Sequence, residues 1–415
     1  MNYQQQGYYS QATIYKSKIV FVSENDLWKV DKKGGTAQRL TTNLGAISNP
    51  CFSPDGKYIA FSGREEGSME VYVMSAEGGL MKRLTFFGSF TKVLGWKKDK
   101  IIFTTNYGQA FFRFFEIYEI EITGGQAKKL PLGMANDVSF GKNMTVLGRN
   151  MREPAHWKRY RGGRTGKIWI DANNSGEYKK LLNLEGNFIC PMIVKDRIYF
   201  ISDHEGIGNI YSCLADASDL QQHTFHKEFY VREASTNGKY IVYHSAGDIY
   251  CYSLKDAKAE KVNIKYRSTQ IHTSRKFVKA ADFLEGYQLN AKGNKLAIVA
   301  RGKAFTMHNW NGAVMQYGER NGTVRYKNTT WLNDGERMLV VSTENGEDRL
   351  EIYQTKKNEM CCRLKKMDLG RISSFKVSPT KDEILLTNHR HELICVDLEK
   401  ELSLIHISEP TRHAS

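Results

Sequence analysis

The chain has 415 residues, 41% hydrophobic, 12% aromatic and 25% charged, and its 60 Lys+Arg against 45 Asp+Glu give a formal net charge of +15. That is the profile of a folded globular protein with one large or several ordinary domains, and it excludes a disordered, collagen-like or coiled-coil chain. Apolar runs such as Ile19–Val22 and Ile198–Ile201 stop far short of the ~20 residues a membrane span needs, and Met1–Gln6 lacks the basic-then-apolar pattern of a secretory leader.

In chain order, the sequence is a repeat. Each unit has an apolar strand, a polar turn, then an acidic or polar residue followed by an aliphatic and an aromatic. The first six read Asp26-Leu27-Trp28, Glu70-Val71-Tyr72, Glu116-Ile117-Tyr118, Lys167-Ile168-Trp169, Asn209-Ile210-Tyr211 and Asp248-Ile249-Tyr250, with aromatics 44, 46, 51, 42 and 39 residues apart. Apolar strands precede them, from Ile19-Val20-Phe21-Val22 to Ile241-Val242-Tyr243, and outer strands such as Gln38-Arg39-Leu40-Thr41 follow several. Gly34-Gly35, Gly78-Gly79, Gly124-Gly125 and Ser53-Pro54-Asp55-Gly56 are hairpin turns, because Pro presets φ and Gly accepts positive φ. Four short antiparallel strands per repeat describe a β-propeller blade. Residues 12–265 are therefore expected to form a complete six-bladed propeller behind a lead-in at 1–11. No stretch sustains a 3.6-residue period, so helix should be scarce.

After the polar stretch Lys265–Gln270 the pattern restarts with Leu296–Val299, Met338–Val341 and Ile384–Leu386. The expected fold is all-β: a complete six-bladed β-propeller followed by about three blades of an incomplete second propeller at 266–401. Leu402–Arg412 reads as the in-frame translation of a transposon-end sequencing adapter, so 402–415 is set aside and the natural sequence is expected to be interrupted near Glu401. The other reading of this stretch is a closing β-strand, since Leu404–Ile407 alternate.

The seven cysteines have no C-x-x-C spacing and sit mostly in apolar runs, which fits free thiols in a reducing cytoplasm. No metal or cofactor is expected: His389-Arg390-His391 would put two histidines on one face of a strand with no third ligand. The repeated aromatics recur once per blade and so belong to inter-blade packing. Phe111–Phe115 is either blade core or an apolar surface for further domains. The basic loop Lys158-Arg159-Tyr160-Arg161-Gly162-Gly163-Arg164 also has two readings. Lys158, Arg159, Arg161 and Arg164 either guide anionic peptide termini and brace a further domain, or form a solvated loop paired with neighbouring acids. No basic stripe with stacked aromatics surrounds it, so no nucleic acid partner is expected.

The stretch His156–Ile170, with Ile19–Trp28, Arg197–Asp203 and Arg301–Phe305, resembles the tricorn protease family over residues 7–400. The resemblance implies that the second propeller is seven-bladed when whole. A PDZ-like module and a catalytic domain beyond it would supply the serine, histidine and acidic residues. It also implies a cytosolic serine protease that degrades oligopeptides, works as a homo-oligomer (a hexamer) and hands products to downstream aminopeptidases. This chain would be its non-catalytic part, serving substrate gating, exit and assembly. No G-x-S-x-G elbow occurs and no catalytic residue is assigned. The family's arginine pair anchors the substrate C-terminus from the loop after the second blade. Here that loop reads Phe86–Lys92 and no Arg-Arg occurs. Lys92 supplies one positive charge but no bidentate fork. The alternative is a stand-alone Tol-type interaction propeller without enzymatic activity, which would carry a secretory leader and a single ring.

Overall fold

The computed structural model describes residues 7–42, 44–150, 160–272, 274, 277–320, 324–364 and 367–400 and the strand Leu402–Ile407. The chain divides into two compact units, Met1–Ser274 and Arg275–Ser415. Among the described residues there is no α-helix, only the short 3-10 turns Ala280–Phe283 and Glu344–Gly346.

The first unit holds six four-stranded antiparallel sheets, each built from strands in chain order, the first skipping the short strand Gly35–Thr36. The six inner strands are Ser10–Tyr15, Ile47–Phe52, Thr91–Lys97, Asp137–Phe140, Phe188–Val194 and Arg232–Thr236. Each touches the next and the sixth touches the first, so they surround a central channel. The second strands, such as Lys18–Ser23 and Arg197–Ser202, are buried on both faces. This is why they read as continuous β-branched and aromatic runs rather than alternating ones. Every interface between neighbouring blades carries its own apolar cluster. Val20, Leu27, Phe61 and Tyr72 join the first two blades, and Phe188, Phe200 and Tyr211 stand between the fourth and fifth. The repeated aromatics lie in these clusters, three of them buried and Tyr118, Trp169 and Tyr250 half-buried. The Ser53–Gly56 turn needs its glycine: φ is +75° and a Cβ would stand 2.1 Å from the Tyr15 ring.

The ring closes without exchanging a strand between the first and last blades. The start of the polar stretch that separates the two sets of repeats is the clasp. Ile264–Lys265 runs parallel to Gly35–Thr36, with Asn263 and Lys265 carbonyls accepting from Gly35 and Ala37 N–H at 3.0 Å. Tyr266 is 3% exposed, 4.6 Å from the Trp28 ring and 5.3 Å from Tyr9, and Ser23 Oγ donates to its hydroxyl at 2.9 Å.

In the second unit, the sheets beginning at Leu284–Leu289, Tyr326–Trp331 and Ile372–Val377 are each four-stranded. Two inter-blade clusters join them, and Leu402–Ile407 pairs with Glu392–Asp397 as an outer strand. His389-Arg390-His391 lies in the turn between Glu383–Asn388 and Glu392–Asp397, not on a strand. His391 takes φ 62° there, while Arg390 pairs with Asp368 and Glu392.

Tyr266→Ala should destabilise the first unit by about 3–5 kcal/mol, the cost of emptying a buried aromatic site. Tyr266→Phe, which loses one hydrogen bond, should cost about 1 kcal/mol. Denaturant unfolding followed by circular dichroism reads both values. Equal stability of Tyr266→Ala and the parent would mean the clasp is not what closes the ring.

Candidate functional site

Five of the six inner strands of the first unit carry a register shift near their start, at Ser10/Thr13, Ser48/Cys51, Val93/Gly95, Ile189/Met192 and Arg232/Ser235. Gln11, Asn49, Cys190 and Glu233 sit in these bulges with φ between 45° and 52°. A bulge re-aims a side chain; together with Lys92, which pairs in register with Thr104, and Asp137, whose strand has no bulge, these four complete a ring of one residue per blade: Gln11, Asn49, Lys92, Asp137, Cys190 and Glu233. All six line one cavity of about 580 Å³ in the channel.

Part of the ring is tied together. Gln11 Nε2 donates to Glu233 Oε1 at 3.2 Å, and Asn49 N–H donates to Gln11 Oε1 at 2.6 Å. Behind it, Gln11 N–H donates to His244 Nδ1 at 3.4 Å, and burial pushes the His244 imidazole down to about 4. Burial pushes the Cys190 and Cys51 thiols up to about 12, so neither is a thiolate nucleophile at neutral pH. Lys92 and Asp137 behave differently. Among the described residues Lys92 Nζ has no hydrogen-bond partner, and neither side chain has an opposite charge within 4.0 Å. Burial opposes the Lys92 ammonium, yet the Asp137 carboxylate, and more weakly Glu233, hold its pKa above the usual lysine value. Burial raises the Asp137 carboxyl, with Lys92 opposing that rise.

Lys92 therefore does not lie in the loop after the second blade, as expected from sequence. It is the second residue of the strand Thr91–Lys97, which opens where wholly buried Thr91 pairs with Thr105. Arg161 does not line the channel cavity. Its Nη1 meets Asp203 Oδ1 at 3.3 Å and its Nη2 donates to the Asp203 carbonyl at 2.9 Å. Asp203, wholly buried, also accepts from Asn187 N–H at 2.7 Å. This matches the reading of arginines paired with neighbouring acids. Arg164 is exposed, and Lys158 and Arg159 lie outside the described residues. Phe111, Phe112 and Phe114 are exposed rather than blade core.

One serine–histidine contact invites a catalytic reading and fails it. Ser212 Oγ lies 2.7 Å from His223 Nε2, but Ser212 is wholly buried and also accepts from Arg197 Nη2 at 2.9 Å. With Tyr252 on the far imidazole nitrogen, this is a core network. No group of three metal-ligating side chains occurs among the described residues, and no helix is long and apolar enough to cross a membrane.

Residues 6–258 match the Tricorn protease N-terminal beta propeller domain, and residues 284–412 match the Tricorn protease second beta propeller domain. The chain belongs to the tricorn protease family. It is 34% identical over 409 residues to a tricorn protease homolog of Saccharolobus solfataricus, covering 97% of this chain and 37% of that protein. Against the tricorn protease of Thermoplasma acidophilum it is 33% identical over 399 residues, 93% of this chain and 36% of that one. A crystal structure of the tricorn protease superposes with a TM-score of 0.78 at 31% identity, over 97% of this chain and 39% of that chain. The chain thus spans little more than a third of these tricorn proteins.

Of the lumen ring, reading the sequence singled out Lys92 alone, and put it in a loop. The ring's only signal is positional, a polar residue one to three places into each inner strand. Sequence reading also passed over a lysine in each of the six turns after the inner strands, Lys16, Lys57, Lys98, Lys142, Lys195 and Lys239, all exposed. Lys16 and Lys239 line the same cavity, which adds two exposed ammonium groups to its wall.

Two stability measurements follow. Asp203→Ala should cost roughly 2–3 kcal/mol because charged hydrogen bonds to buried groups are lost. Arg161→Ala, at a partly exposed guanidinium, should cost about 1 kcal/mol or less. For His244 the folded pKa lies below the unfolded value of about 6.5, so the unfolded chain binds the extra proton. That stability is present above about pH 6.5 and is lost as pH falls toward 4. From pH 7 to pH 5 the loss should be roughly 2 kcal/mol, and His244→Gln should flatten the profile. An unchanged profile in the variant would reassign the dependence.

Proposed function

We propose that this chain is the non-catalytic propeller portion of a tricorn-like cytoplasmic serine protease that degrades oligopeptides. Its six-bladed lumen admits or releases peptides, and its outer faces serve assembly into a homo-oligomer that passes products to downstream aminopeptidases. The serine, histidine and acid that cleave the peptide bond are supplied from outside residues 1–400. The observation that carries this reading is the lumen itself. A packed propeller core needs no ring of charged and amide side chains around its axis, whereas a route for peptides needs polar walls that bind weakly enough to release. The peptide-length substrate and the direction of travel rest on kinship with the tricorn family.

Two constructions test it. The chain alone should not hydrolyse an internally quenched oligopeptide, whereas a chimera in which it replaces the corresponding propellers of the Saccharolobus relative should. Gly95 lines the cavity, and a Cβ there meets nothing nearer than Cys51 Sγ at 4.0 Å. Gly95→Trp in the chimera should therefore start from an unobstructed Cβ, narrow the lumen and slow turnover about fivefold or more. Turnover by the isolated chain that vanished on changing one of its own side chains would overturn the assignment.

A further inference from the structure

The lumen ring combines features that a purely structural ring would not. It holds one ammonium and two carboxylates, and among the described residues Lys92 and Asp137, on adjacent blades, have no ion-pair partner within 4.0 Å. Charges buried for stability are normally paired directly, as Arg161 and Asp203 are in the same unit. Glu233 is on the sixth blade, three blades round the ring from Lys92, and is oriented by Gln11. The thiol of Cys190 is neutral at physiological pH, and Asn49 offers an uncharged amide. One cavity therefore presents a positive pole and two negative poles with space between them, at a volume typical of small-ligand sites.

The inner strands also decide how a peptide can be held. They are sheet edges, and an uninterrupted edge would capture an extended peptide as an extra strand. Bulges near the start of five of the six break that edge where the ring stands. The ring thus reads end groups and side chains, not a backbone ladder.

We propose that Lys92, Asp137 and Glu233 form a binding station for the charged ends of a short peptide, Lys92 taking the terminal carboxylate and Asp137 with Glu233 the terminal ammonium. This rests on reading the chain as part of a peptide-handling enzyme, and it assigns the ligand as a zwitterion with free termini rather than an internal peptide segment. Lys16 and Lys239, exposed on the wall of the same cavity, attract the carboxylate end.

The test uses the full chain and trialanine, with titration calorimetry as the readout. Trialanine with free ends should bind. Its C-terminal amide should bind about tenfold or more weakly, the scale of one lost hydrogen bond between charged groups. In Lys92→Met the free-ended peptide should weaken by a similar factor, and amidation should then cost nothing further. N-acetylation and Asp137→Asn should couple in the same way, while Lys92→Arg should retain most of the affinity. Thermal unfolding of each variant confirms that the ring is intact. Equal binding of capped and free peptides, undiminished binding by folded Lys92→Met, displacement by acetate at concentrations matching the tripeptide, or no binding at millimolar peptide would each overturn the station. Binding is read without catalysis, so an active chimera with an indifferent Lys92→Met refutes the station alone. End-dependent binding by a chain whose chimera is inactive refutes the protease role alone.

Discussion

The structure depends on burying both faces of every blade. A four-stranded sheet with apolar side chains above and below its second and third strands cannot stand in water by itself. The six clusters of the first unit each take residues from two blades, so each blade is stable only between two neighbours. A ring satisfies that demand at every interface, provided its first and last members meet. Here they meet without a shared strand. The seam is held by Tyr9, Phe21, Trp28 and Val242 from the two blades and by the returning segment that carries Val262, Ile264 and Tyr266. Two parallel backbone pairings and one buried tyrosine thus close the seam.

Closure has a consequence at the axis. Six inner strands brought together leave six sheet edges facing one another across a space too wide for side chains to fill. The unpaired backbone groups there must be solvated or interrupted, and the bulges with positive φ at Gln11, Asn49, Cys190 and Glu233 are the interruption. The same backbone irregularity that protects the edges turns polar side chains inward. A functional ring thus arises at the positions where the architecture would otherwise be vulnerable.

Much of this was legible in the residues. The aliphatic-aromatic triplets marked third strands, the Gly-Gly and Pro-Asp-Gly turns marked hairpins, and their spacing gave six blades and then about three more. What escaped notice required the closed ring. Lys92 reads as loop because it follows the irregular Phe86–Phe90 and is charged, and only the channel makes a lysine at the second place of an inner strand reasonable. Tyr266 sits in a polar run whose partner, Trp28, is at the other end of the unit. The acid that holds Arg161 lies 42 residues downstream in the next blade, beyond any local pattern.

The distribution of ion pairs separates structural charge from available charge. Several third strands carry a buried acid, at the first position in Asp26 and Glu70 and at the third in Glu351, that is answered within its own blade. Arg39 and Thr41 answer Asp26, Arg83 and Thr85 answer Glu70, and Arg363 answers Glu351 in the second unit. These acids are wholly buried, and each pairing fixes an outer strand against its neighbour, so their charges are already spent on the fold. Lys92 and Asp137 are lumen-facing charges with no such answer among the described residues. Holding an ammonium and a carboxylate apart inside a cavity costs solvation that direct pairing would recover, and a blade needs neither for packing. A molecule bearing both charges, placed between them, restores that loss, and this is the physical reason to look for the ligand at the axis rather than on the basic outer loop.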